Sequence, residues 1–177
     1  MIKSLTFAVF VIGISLNIKA QDWKTPIIVG YGRIAEFGNI AVKPDPTKEY
    51  KLFFNITSDV EREGVNTSLW KIARIINLLE NSGVPKQNIQ IGAVISGPAS
   101  SIVLTEAAHL KKLHKSNPNL DLMKKLFDYG VEIHLCGQAA AERDIDPILE
   151  LNPYTHLTLS ALTDIPIYQM NGYIIMF

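Results

Sequence analysis

Residues 130–144 read GVEIHLCGQAAAERD. The apolar run VEIHLC is short and lacks helical spacing, which marks a strand covered on both faces. An alanine-rich helical stretch follows directly, and Gly137 is the residue at which the backbone can turn. A strand that passes straight into a helix is one half of a βαβ unit. The rest of the chain decides whether the unit repeats.

It does. YKLFFNIT (50–57) is a second continuous apolar run, and NTSLWKIARIINLLENSG follows it. There Leu69, Ile72, Ile76 and Leu79 fall at helical spacing, Asn66 or Thr67 stands at the cap position, and Gly83 stands at the stop. NIQIGAVIS (88–96) is another strand. GPASSIVLTEAAHLKKLHK reads as one helix, with Ser96 or Gly97 near its cap and Pro98 in its first turn. NPNLDLMKKLFDYG is a further helix with an early Pro118 and a terminal Gly130. Beyond Cys136 come a helical turn or two in DPILELNP and a strand in THLTLSAL. A helix over DIPIYQMNG with Pro166 early and a last strand YIIMF end the chain. Strands alternating with helices predict a three-layer α/β/α domain with a five-stranded, mostly parallel sheet.

The ends of the chain read differently. MIKSLTFAVFVIGISLNIKA carries Lys3 ahead of an apolar run, Leu5 to Leu16, that is shorter than a membrane span. Residues 1–20 are therefore expected to be a signal peptide cleaved after Ala20, which places the mature protein in the periplasm or outside the cell. Residues 21–49 form an N-terminal arm, with PIIVGYG and NIAV as two possible short strands and KPDPTKEY as turn chemistry. The apolar PIIV needs a cover, and contact with a neighbouring subunit is the expectation. The α/β domain is assigned to residues 50–177.

Composition narrows the functions. The chain of 177 residues has 17 basic and 17 acidic side chains. The leader holds Lys3 and Lys19 and no acid, so the mature chain carries a small negative charge. Such a surface gives no footprint for nucleic acid or for an anionic membrane. No P-loop, dinucleotide fingerprint or G-x-S-x-G elbow is present, and no cofactor is expected.

Cys136 is the only cysteine, so no internal disulfide can form. In an open parallel sheet, ligands sit outside the carboxyl ends of the strands, and Cys136 ends its strand. A sulfur there lies near a helix N-terminus, whose N–H groups and dipole favour a thiolate. Position alone leaves two readings open, a reactive thiolate and a small buried hydrophobe. Export weighs against an idle thiol, because it would oxidise or cross-link. Gly137 and Gln138, with Ser96, Gly97 and Pro98 on the same sheet edge, are candidate pocket-lining residues. His134 shares a strand face with Cys136 and is either a base or a core histidine. Cys136, His134 and His156 match no closed zinc spacing, so no metal site is expected. The carboxylates of TSDVEREG and the basic side chains of HLKKLHK read as solvated surface.

Four stretches taken together, EYKLFFNITSD, IGAVISGPA, GVEIHLCGQ and NGYIIMF, resemble the DsrE/DsrF-like family, which includes TusD-like sulfur-relay and YchN-like members. The resemblance runs from Tyr50 to Phe177 and is most specific in the block from Gly130 to Gln138 combined with Gly97 to Ala99. It implies a five-stranded parallel sheet between helices and a homo-oligomer, trimer or hexamer. In sulfur-relay members the cysteine matching Cys136 receives a sulfane sulfur as a persulfide and passes it to a partner thiol. The resemblance therefore implies Cys136 as a sulfur acceptor and a thiol or sulfur-donor protein as its partner. The leader would make this chain an exported member, with no membrane contact after cleavage. The alternative is a non-catalytic oligomeric binding or assembly module in which Cys136 is a packing residue.

Overall fold

The structure is a computed structural model and describes residues 21–177. The signal-peptide expectation falls on residues 1–20 and lies outside the described residues.

The first strand, β1 (Tyr50–Ile56), is followed by a small hairpin of β2 (Glu61–Arg62) and β3 (Val65–Asn66). Helix α1 (Thr67–Asn81) leads to β4 (Ile89–Ile95). Next come α2 (Glu106–Leu113), α3 (Leu120–Tyr129), β5 (Glu132–Cys136) and α4 (Gly137–Glu142). The chain ends with β6 (His156–Thr158), α5 (Ala161–Met170) and β7 (Ile174–Met176). The main sheet has the order β6-β5-β4-β1-β7, and all of its pairs are parallel. The expected five-stranded α/β architecture is therefore present, with β7 placed on the far side of β1.

Strand alternation divides the core between the two faces. Leu52, Phe54, Ile56, Ile91, Ala93, Ile95, Ile133 and Leu135 meet α1 and α3 in the larger cluster. Phe53, Val94 and Cys136 point the other way, toward Ile165 and Tyr168 of α5. There Phe53 stacks on Tyr168 with ring centroids 3.9 Å apart.

Local signals set several boundaries. Asn66 caps α1 by accepting from the N–H groups of Ser68 and Leu69. Gly130 ends α3 at φ 110°, a left-handed conformation that an L side chain rarely adopts.

Other boundaries correct the sequence reading. The single helix expected over 97–115 is broken. Gly97–Val103 is 3₁₀, Leu104 bridges to Leu151, and α2 starts afresh with Thr105 accepting from the N–H of Ala108. Thr105 is a good cap, and the β-branched pair Ile102–Val103 before it disfavours a continuous helix. Ser96 makes no side-chain cap bond. DPILELNP forms turns held by Asp146 rather than a helix. Helix α5 begins before the stretch expected for it, because Ser160 caps it by accepting from Leu162 N–H, and Pro166 falls in its interior.

The arm forms no strand pair beyond one bridge, Lys24 to Ile34. It packs on α1 of its own chain. Asn77, fully buried on α1, accepts from the N–H groups of Ile27 and Ile28 and donates to the carbonyls of Tyr31 and Gly32. Gly32 sits so close that a Cβ would lie 2.2 Å from the Arg74 nitrogen. Ile28 and Ile34 are thereby buried within one chain, while Val29 of the same arm stays exposed.

Candidate functional site at the end of β5

The site is built by one strand and two helix starts. Cys136 ends β5 and is the residue from which α4 departs. On the neighbouring strand, Thr158 pairs with Cys136, and Ser160 two residues later caps α5. The sulfur therefore lies where α4 and α5 both begin. Ala139 of α4 and Ala161 of α5 pack with it in one buried cluster. Its Sγ lies 3.8 Å from Ser160 Oγ.

Gly137 is required by this geometry. A Cβ on residue 137 would lie 2.7 Å from the Thr158 carbonyl oxygen and 3.3 Å from that of Leu159. The absence of a side chain lets β6 run close beside the start of α4 and brings Ser160 and Ala161 to the sulfur. Gln138 adds a tie, its Nε2 donating to the Leu159 carbonyl at 3.2 Å.

Two effects oppose each other at the thiol. Cys136 is 4% exposed, and burial pushes its pKa up. The N–H donors of Ala161 and Ala139, the Ser160 hydroxyl and the N–H of Gln138 favour the thiolate, and together they win. The net pKa lies below the ordinary thiol value. A thiolate held by fixed donors is a nucleophile, whereas a buried neutral thiol is not.

Beneath the sulfur lies a polar cluster that the sequence did not disclose. Asp164 of α5 is buried, and its carboxylate accepts from Nδ1 of His134 at 3.0 Å and from the hydroxyl of Thr158 at 2.5 Å. The acceptor at Nδ1 places the proton there and leaves Nε2 as the second ring nitrogen. The Asp164 partner explains why a histidine occupies this half-buried strand position. The pair joins residues 30 apart in sequence, so spacing alone carried no signal. Tyr168 lies beside His134 and donates to Glu132 at 2.5 Å. Burial, followed by the Glu132 carboxylate, raises the Tyr168 phenol above its ordinary pKa.

The remaining expected residues are spread along the same edge. Ser96, Gly97 and Pro98 follow β4, next to β5, and Ser96 N–H donates to Ile56 O of β1. Cys136 and these three residues border none of the five best-formed cavities among the described residues. His156 pairs in register with His134, and its ring lies 6.4 Å from that of Phe127. Around the site the surface is apolar. Leu157, Leu159 and Leu162 are exposed, Leu162 to 84%.

Comparison with known proteins matches this arrangement to one family. The family model described as DsrE/DsrF-like covers residues 51–177, which takes in all of the main sheet except Tyr50, and Cys136. The chain belongs to the DsrE/DsrF-like family. Among solved structures it is similar to MTH1491, a protein of unknown function from Methanobacterium thermoautotrophicum. That likeness has a TM-score of 0.54 at 18% identity and covers 72% of this chain and 98% of the other. It is also similar to the YchN protein of E. coli, with a TM-score of 0.50 at 15% identity over 71% of this chain and 96% of the other. These likenesses carry the fold. No curated protein matches the chain.

Proposed function

We propose that the protein is an exported sulfur carrier that holds a sulfane sulfur on Cys136. The observation that supports this most is the placement of one sulfur at the starts of two helices, 3.8 Å from the hydroxyl that caps the second. In the proposed step the Cys136 thiolate attacks the outer sulfur of a donor persulfide. A sulfur–sulfur bond forms to Cys136 as the donor's own bond breaks, and the donor leaves as a thiolate. No net oxidant is needed, because the sulfane sulfur moves at constant oxidation state. The outer sulfur arrives as S–H and passes its proton to the departing donor thiolate, which leaves the product persulfide as the anion at the same place. A partner thiolate would then take the outer sulfur by the reverse attack.

The reading includes three further expectations. Cleavage after Ala20 gives a periplasmic or secreted mature chain. The mature chain assembles with copies of itself as a trimer or hexamer, and the exposed Ile148, Leu149, Leu159, Leu162 and Met170 support such a contact. A sulfur-donor or thiol-bearing protein is the transient partner.

The deciding experiment exposes the mature protein to polysulfide and weighs it intact. One added sulfur that is lost on reduction and absent from Cys136→Ser is the expected result. An unmodified protein with a slowly alkylated thiol overturns it. The 4% exposure of Cys136 favours the second reading, an assembly module with a packing cysteine. That reading expects Cys136→Ala to keep the full oligomer and Leu162→Glu to break it on size-exclusion chromatography with light scattering.

A further inference from the structure

A second feature lies at the carboxyl ends of β1 and β4, on the α1 and α3 face of the sheet, whereas Cys136 packs on the other face. In open parallel sheets this is the edge at which ligands bind. Asn66, the cap of α1, donates its backbone N–H to Asn119 Oδ1 at 2.7 Å and so ties the start of α1 to the start of α3. Beside that tie lies a cavity of about 170 Å³. It is bordered by Asp59 and Glu61 after β1, Ile102 after β4, His109 and Leu113 of α2, and Lys115.

His109 is the wall that needs a partner. The residue is only 3% exposed. Its Nδ1 lies 2.7 Å from the Lys115 carbonyl oxygen. A carbonyl only accepts, so the neutral ring carries its proton on Nδ1 and a bare lone pair on Nε2. Nε2 has no protein partner among the described residues, yet it is not one of the side-chain atoms sealed from solvent without a partner. It is therefore open to a small molecule. Of the five best-formed cavities among the described residues, this one alone borders His109. Buried polar atoms in native proteins have a hydrogen-bond partner as a rule, so Nε2 calls for a donor from outside the chain. The nearby asparagine oxygens are already taken, that of Asn119 by Asn66 N–H and that of Asn66 by the N–H groups of Ser68 and Leu69. The carboxylates are not. Asp59 makes no ion pair among the described residues. Glu61 meets Lys115 at 3.7 Å, a long pair between exposed side chains that holds weakly. With the ring neutral, two carboxylates and one ammonium leave one negative charge unmatched.

We propose that this cavity binds a small organic cation, an ammonium or guanidinium group on a compact molecule. One N–H of the cation donates to His109 Nε2, and its charge rests against the Asp59 carboxylate. Ile102 and Leu113 give the apolar part of the molecule a surface to cover. The volume admits roughly five or six waters at ~30 Å³ each, and hence a ligand of about that many non-hydrogen atoms. The sheet separates this site from Cys136, so it stands whether or not the cysteine carries sulfur.

The test is a nitrogen-15 NMR titration of the mature protein at about pH 8, where an ordinary histidine is neutral. The probes are methylguanidinium, ethylammonium and methylurea, the last a neutral molecule of nearly the same shape as the first. The expected result is a saturable shift of the His109 Nε2 resonance with at least one of the two cations, accompanied by shifts in the β2–β3 hairpin, and at least tenfold weaker binding of methylurea. The cation that binds more tightly tells guanidinium from ammonium. Asp59→Asn, at an exposed position where the fold is not at stake, should weaken the binding of that cation by roughly fivefold. The proposal is overturned if neither cation moves His109 Nε2 saturably, if methylurea binds as tightly as the cations, or if Asp59→Asn binds as tightly as the unaltered protein.

Discussion

The sulfur of Cys136 and the hydroxyl of Ser160 lie 3.8 Å apart, although 24 residues separate them in sequence. Ser160 has two tasks, because the same oxygen accepts from Leu162 N–H and caps α5. The tasks separate on mutation. Ser160→Ala should cost about 1 kcal/mol of stability through the lost cap and raise the thiol pKa. Ser160→Asp should keep the cap and raise the pKa further, because it sets a like charge beside the thiolate. The measurement is alkylation rate against pH, with urea unfolding alongside. Equal pH midpoints in all three proteins would remove Ser160 from the sulfur's environment.

The lowered thiol pKa also fixes a pH dependence of stability. The folded pKa lies below the unfolded one, so the folded state releases the thiol proton first as pH rises. The resulting stabilisation is full above the unfolded pKa, about 8.5, and is lost as pH falls through the folded value. Cys136→Ala lacks it. The stability gap between the unaltered protein and Cys136→Ala should therefore widen as pH rises toward that upper limit. Urea unfolding across the neutral to mildly alkaline range checks this, and a gap that narrows with pH would mean a raised thiol pKa.

What was legible in the sequence was what is local. Continuous apolar runs such as YKLFFNIT and VEIHLC gave the strands, and Asn66, Gly83 and Gly130 gave helix ends, because caps and left-handed turns are decided within a few residues. The position of Cys136 at a helix start followed from the same local rule. Long-range pairings were not legible. Nothing near His134 announces Asp164, and nothing near Ile27 announces Asn77. The second helix start at the sulfur was hidden for the same reason, since it depends on β6 lying beside β5. The break after Val103 was missed because apolar spacing continues through it, while Thr105 and the Leu104–Leu151 bridge decide otherwise.

Asn77 holds the arm. Four backbone groups of residues 27–32 meet one side-chain amide on α1. Asn77→Ala should leave buried donors without partners and cost about 1–3 kcal/mol. Asn77→Asp keeps the acceptor for Ile27 and Ile28 but loses both donors to Tyr31 and Gly32. Hydrogen exchange should quicken at Ile27 and Ile28 in the alanine variant and much less in the aspartate variant. Unchanged exchange in both would mean that burial of Ile28 and Ile34, not the amide, retains the arm.

Asp164 joins α5 to two strands, to β5 through His134 and to β6 through Thr158. These are the strands whose ends build the cysteine site. Asp164→Asn keeps the volume and can still accept one hydrogen bond, but it removes the charge and cannot accept from both partners through two carboxylate oxygens. Asp164→Ala leaves the Thr158 hydroxyl and the His134 N–H without an acceptor. The alanine variant should lose about 1–3 kcal/mol, and the asparagine variant less. Because α5 supplies Ala161 N–H and Ser160 to the sulfur, a shifted helix should also raise the thiol pKa. Alkylation of Cys136 at neutral pH should therefore slow in the order unaltered protein, Asp164→Asn, Asp164→Ala. Loss of stability without any change in alkylation would make the Asp164 cluster a packing device that the cysteine does not sense.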